Sequence, residues 1–134
     1  MIVKKIKRDK SNKPKAWQIG DLVDYIRNPQ TANAHEKIAH AGGRNFLSGT
    51  HNGQKAEMIA LAQESVHSAM PVSHWVFSFK ENEQPSRQQV DELVGMFLEH
   101  MGLQEHQAVY GLHRNTNNFH VHIAVNRMHP HTLK

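Results

Sequence analysis

Residues 112–127 read LHRNTNNFHVHIAVNR and carry three histidines, His113, His120 and His122. Side chains of a strand alternate faces. Phe119, Val121, Ile123 and Val125 then point one way, into a core, while His120, His122, Ala124 and Asn126 point the other. His113 ends a preceding strand, and RNTNNF is short enough to be a hairpin loop that sets His113 across from the other two. Neutral imidazole is the commonest side-chain metal ligand. Three of them with coordination positions left over describe a catalytic site rather than a closed structural one. A His-x-His pair by itself is usually a polar strand face. The third histidine at the hairpin mouth, with a wholly apolar opposite face, turns the balance toward metal.

A metal beside a basic surface suggests phosphodiester chemistry. The chain has no cysteine, so a covalent nucleophile would be Ser, Thr, Lys or Tyr. There are two tyrosines. Tyr110 alternates with Leu112 and points away from His113, which makes it a core residue. Tyr25 lies at the edge of a helical apolar stripe, flanked by Asp24 and Arg27. A tyrosine there is usually packing filler with a wet hydroxyl, and the residues alone leave that reading ahead.

The elements that must position these groups follow from patterning. A length of 134 residues is that of one domain. No apolar run of about 18 residues spans a membrane, and MIVKKIKRDK has no apolar segment after it to make a signal peptide. Without cysteines, disulfides and thiolate metal sites are excluded, and a reducing cytoplasm is the simpler compartment. Net charge is +4, and seven of the sixteen Lys and Arg lie in the first fifteen residues, Lys4, Lys5, Lys7 and Arg8 among them. Such a segment is a solvated arm or a set of phosphate contacts, with nothing in the composition to choose.

MIVKKIKR reads as a strand with Ile2 and Ile6 on one side. WQIGDLVDYIRNP (17–29) reads as a helix through Ile19, Leu22, Val23 and Ile26, ended at Asn28-Pro29. EKIAHAGGRNFLSG (36–49) holds a short strand or turn. QKAEMIALAQESV (54–66) is a second helix. VSHWVFSFKE is a strand with Trp75, Phe77 and Phe79 on one face. SRQQVDELVGMFLEHMG (86–102) has a capping box in Ser86 and Gln89. Its stripe runs through Val90, Leu93, Val94, Phe97, Leu98 and Met101, and Gly102 closes it. Two strands end the chain. The order β-α-β-α-β-α-β-β predicts an α+β two-layer sandwich, a central antiparallel sheet with helices packed on it.

With those elements in place, HRNTNNFHVHIAVNRMHP (113–130) resembles the histidine motif of plasmid mobilisation relaxases. These are P-type nucleases of the His-hydrophobe-His endonuclease superfamily. GGRNFL (42–47), QKAEMIALAQ (54–63), HWVFSFKENEQPS (74–86) and NRMHPHTLK (126–134) are similar to the surrounding segments, and LVDYIRNP (22–29) is similar to the tyrosine motif. The resemblance covers most of the chain and is weakest in the first fifteen residues.

The resemblance implies strand-specific nicking of DNA at an origin of transfer, with Tyr25 attacking the scissile phosphate and staying on the 5′ end. It implies a divalent metal, commonly Mg²⁺ or Mn²⁺, on His113, His120 and His122. It implies a bacterial cytoplasmic setting, single-stranded origin DNA as substrate, and a relaxosome accessory protein and a coupling protein as partners. Arg114, Arg127 and the N-terminal lysines could hold flanking phosphates. Two departures stand out. Many relatives carry Asp two residues after the first histidine, where this chain has Asn115. Relatives also continue beyond the histidine strand, so residues 1–134 read as the N-terminal catalytic domain of a longer relaxase. Three other readings stay open: a DNA- or metal-binding relative disabled at Asn115, a phosphoesterase using water, and a rolling-circle replication initiator.

Overall fold

The computed structural model describes residues 1–7, 12–27, 37–115 and 118–133. The elements run β1 (Ile2–Ile6), α1 (Lys15–Arg27), β2 (Lys37–Arg44), α2 (His51–Ala62), β3 (Val72–Ser78), α3 (Arg87–His100), β4 (Ala108–Asn115) and β5 (Asn118–Asn126). This is the expected order. The strands form one antiparallel sheet in the order β1-β3-β5-β4-β2, so the two histidine strands, β4 and β5, are neighbours in its middle.

Alternation along the strands produces two cores. On one face Phe77, Tyr110, Leu112, Val121, Ile123 and Val125 pack with Val90, Val94 and Leu98 of α3. On the other, Val72, Val109 and Ala124 pack with Ile19, Val23 and Ile26 of α1 and Met58 and Ala62 of α2. The antiparallel α+β architecture is as expected, with the helices divided between the two faces. The histidine face is therefore a roofed one: α1 lies on it. No helix among the described residues is long and apolar enough to cross a membrane.

Local chemistry explains the helix ends. Ser86 caps α3 in the expected reciprocal box with Gln89, and Gly102 follows at φ 72°. Met101, read as the end of the stripe, is 43% exposed, because the helix stops at His100 and Met101 is its C-cap. Helix α2 starts at His51, earlier than its apolar pattern, because the Thr50 hydroxyl accepts from the Gly53 amide. Its far end is held by the Lys15 ammonium, which donates to the Ser65 carbonyl at 2.8 Å. Ser86→Ala removes one side of the α3 box and is expected to cost about 1 kcal/mol, or roughly 4 °C in Tm. Thermal unfolding followed by circular dichroism reads this; an unchanged Tm would mean that packing alone sets the start of α3.

Three readings shift. The glycine-rich segment is a full eight-residue strand, β2. Its pattern is masked by Gly42, which leaves room for the Tyr110 ring, and by Gly43, which leaves room for Arg27 and Gln54. The stretch RNTNNF is mostly strand rather than loop, since pairing runs out to Asn115 opposite Asn118. Ile2 is 71% exposed, because β1 is an edge strand. Asn28-Pro29 lies outside the described residues.

Candidate active site

In the β4–β5 register His113 stands opposite His120, and Gly111 opposite His122. All three histidines lie on the α1 face, as alternation requires. His113 is completely buried and its Nε2–H donates to the Ile26 carbonyl at 2.7 Å. Its ring stacks on that of His122, with centroids 4.3 Å apart. His120 is half-buried, 6.5 Å from the His122 ring, with Nδ1 3.1 Å from Ser78 Oγ.

Helix α1 brings Tyr25 to the same place. Its ring is half-buried at the edge of the core between the sheet and helices α1 and α2. It meets His113 and His122 edge-on at 5.4 Å each, and His74 at 6.5 Å. The helix can come this close because Gly111 has no side chain: a Cβ there would overlap the Ile26 carbonyl oxygen. Asp24, beside Tyr25, ties α1 to α2. It accepts from His51 Nε2 at 2.9 Å and from the Lys55 ammonium at 3.0 Å. Burial works to raise the Asp24 carboxyl, but the hydrogen bonds from His51 and Lys55 outweigh it and hold it below the usual range.

The other tyrosine is elsewhere. Tyr110 is buried on the α3 face, and its hydroxyl donates to Asp91 Oδ1 at 2.7 Å. Burial first, then Asp91, pushes it up to about 12. A hydroxyl so held is a poor nucleophile.

His74 was not among the residues singled out from sequence. Its Nε2 lies 2.9 Å from Nδ1 of His122. The signal was the strand period: β3 was read by its aromatic face, Trp75 and Phe77, whereas His74 sits on the opposite one, between Val72 and Val76. Burial, then neighbouring His113, lowers His74 to about 4, and burial with His113, His74 and His120 lowers His122 to about 2. Both rings are thus neutral at pH 7 and keep their lone pairs.

The basic residues separate. Lys4 pairs with Val76, which pairs with His122, so it shares the histidine face at the sheet edge. Lys5 is on the other face, its ammonium 5.7 Å from the Trp75 ring centroid. Lys5, Lys7, Lys13 and Arg127 nevertheless line one cleft of about 1050 Å³ that reaches His74 and the side of α1. Within it the Arg127 guanidinium donates to the Pro71 and Met70 carbonyls. Arg114 is on the α3 face, 6.0 Å from the Phe119 ring centroid, away from the histidines. Arg8 lies outside the described residues. Asn115 is exposed, on the histidine face two residues beyond His113.

The donor set suits a divalent ion in kind. His113, His120 and His122 share a face, and one nitrogen of each is held by a protein partner. Metal-bound imidazoles are usually fixed in this way. As placed, no group of three or more His, Cys, Asp or Glu among the described residues is arranged to hold a metal ion.

The family model described as relaxase, MobA/VirD2-like, nuclease domain, matches residues 25–134. The chain is 53% identical over 77 residues to the protein MobA of Acidithiobacillus ferrooxidans, covering 58% of this chain and 19% of that protein. It is 30% identical over 117 residues to a protein TraI of Escherichia coli, covering 87% of this chain and 16% of that protein. A second Escherichia coli TraI is 28% identical over 115 residues, 84% of this chain and 15% of its own length. The chain thus spans less than a fifth of the curated relatives it matches. A match from Tyr25 onward takes in the end of α1, the glycine-rich strand and the three histidines together: the chain belongs to the MobA/VirD2-like relaxase nuclease-domain family.

Proposed function

We propose that this domain nicks one strand of DNA at a plasmid origin of transfer by transesterification, with Tyr25 as the nucleophile. The observation that carries the reading is the Tyr25 ring at 5.4 Å from both His113 and His122 under a roofed sheet face. The Tyr25 oxygen attacks the scissile phosphorus. A new P–O bond joins the tyrosine to the 5′ end as the bond to the 3′ oxygen breaks, and that oxygen takes up a proton to leave a free 3′-OH. The phosphotyrosine ester conserves the energy of the broken ester, so the same residue can rejoin the strand without a nucleotide cofactor.

His113, His120 and His122 would hold Mg²⁺ or Mn²⁺, which when bound polarises the phosphoester and offsets its growing charge. The residues of the chain do the rest. Helix α1 sets the hydroxyl beside the histidines, and the hydrogen bond from His113 to Ile26 fixes the last turn of that helix. The cleft lined by Lys5, Lys7, Lys13 and Arg127 offers a track for the phosphates of single-stranded DNA, and it leads to His74. Lys4 adds charge at the sheet edge. Residues 1–134 would be the N-terminal catalytic domain of a longer relaxase. It would work in the bacterial cytoplasm with an accessory protein and a coupling protein.

The test is incubation with Mn²⁺ and a labelled single-stranded oligonucleotide spanning the origin, followed by a denaturing gel. A protein-linked band is expected. Cut DNA without the linked band would favour a water-based phosphoesterase, and binding without cutting a disabled DNA-binding relative.

Asn115 sharpens the mechanism. An amide can hydrogen-bond to the tyrosine but cannot take its proton. Tyrosine titrates near 10 in water, so without a base at this position the proton would pass to solvent. Asn115→Asp supplies a base, and general-base help is worth roughly 10²–10⁴ in rate. Single-turnover cleavage from pH 6 to pH 9 should be faster for the Asp form near neutrality, with less gain on raising the pH. If the Asp form is no faster at any pH, the site works without a base at this position.

A further inference from the structure

We propose that His74 is a positioning residue for His122: its Nε2 accepts from Nδ1–H of His122 and so keeps His122 Nε2 as the nitrogen with the lone pair. This rests on the reading of His122 as a metal ligand. Strand β3 pairs with β5 so that Val76 faces His122 and His74 faces Ala124. His74 and His122 are therefore diagonal neighbours on one face, and the two nitrogens meet at 2.9 Å. Between two neutral imidazoles only one of the facing nitrogens can bear the proton. If His74 bore it, His122 would carry its own proton on Nε2 and that nitrogen could take no metal. If His122 Nδ1 bears it, Nε2 is open to one.

Two further contacts fix the arrangement. Stacking on His113 at 4.3 Å fixes the plane of His122 from one side. His74 has Tyr25 against it, 6.5 Å between centroids. Partners of this kind typically govern metal affinity by about 10–100-fold. The chain thus uses an imidazole where a carboxylate or carbonyl more often orients a ligand.

The experiment compares wild type, His74→Ala, His74→Gln and His122→Ala by calorimetric titration with Mn²⁺, with thermal unfolding beside it. His74→Ala should weaken Mn²⁺ binding by about 10–100-fold. His74→Gln should keep most of the affinity, because its carbonyl oxygen can accept in place of Nε2. Histidine-selective ¹⁵N NMR of the metal-free protein should find His122 protonated on Nδ1 in wild type and in His74→Gln. Wild-type affinity in His74→Ala, equal losses in the Ala and Gln variants, or a proton on Nε2 of His122 in wild type would each overturn the proposal. The NMR result decides even if His74→Ala does not fold. Wild-type affinity in His122→Ala would overturn the ligand reading itself. Loss there with none in His74→Ala would remove only the role of His74.

Discussion

Tyr25→Phe is expected to give no covalent DNA adduct, with nicking reduced by more than about 10³-fold, the scale on which enzymes lose rate when a covalent nucleophile is removed. The substitution keeps the ring, which packs beside Ile19, Val23 and Ile26. The fold should therefore survive with a loss of about 1 kcal/mol or less, the worth of one hydrogen bond. Affinity for the uncut oligonucleotide, followed by fluorescence anisotropy, should change by less than about twofold, well under 1 kcal/mol. Tyr110 is not a substitute. It is on the opposite face, its hydroxyl is given to Asp91, and it is pushed up to about 12. An adduct that persists in Tyr25→Phe would thus point to a different residue type, and mass spectrometry of the linked peptide would name it.

Most of the frame was legible because it is written locally. The period of β5 gave its faces, the Ser86–Gln89 box gave the start of α3, and the third histidine fell opposite His120 as the hairpin required. What was hidden depends on contacts between distant segments. Tyr25 sits at the edge of its helical stripe, where packing filler and nucleophile look alike. It is the docking of α1 on β4 and β5 that brings its ring to His113 and His122. The resemblance to relaxases singled out Tyr25, but no property of residues 17–29 alone did.

His74 was hidden for a different reason. Its strand was read for the larger, aromatic side, and a lone histidine between valines carries no sign that its partner is 48 positions away. The basic residues were legible as charge but not as a surface. Side-chain alternation sends Lys5 and Arg114 away from the histidines, and the cleft past His74 gathers Lys5, Lys7 and Arg127 again. Gly42 and Gly43 left β2 readable only as a short strand or turn, yet these two and Gly111 of β4 make room for neighbouring groups.

Gly111→Ala is expected to impair nicking by about 10²-fold or more while the chain stays folded. Gly111 pairs with His122 in the centre of the sheet, and a Cβ on it would overlap the Ile26 carbonyl oxygen. That same carbonyl accepts from His113 Nε2 at 2.7 Å. The added methyl must push the last turn of α1 off the sheet, so it loosens the His113 hydrogen bond and carries Tyr25 away from both rings at once. Overpacking of this kind costs about 1–3 kcal/mol of stability, and a displacement near 1 Å at a reacting group can cost about 10²-fold in rate. Gly20→Ala is the control on the same helix. A Cβ there meets only the ends of Ile59 and Lys55, at 3.8 and 3.9 Å. Alanine in a helix interior is favoured over glycine by roughly 0.5–1 kcal/mol, so Gly20→Ala should raise stability and leave nicking unchanged. Chemical denaturation and single-turnover adduct formation measure both quantities. Wild-type nicking in Gly111→Ala, despite lost stability, would mean that the seat of α1 on the sheet does not set the reach of Tyr25. Loss of nicking in Gly111→Ala alone would locate the control of the nucleophile at one missing side chain in β4.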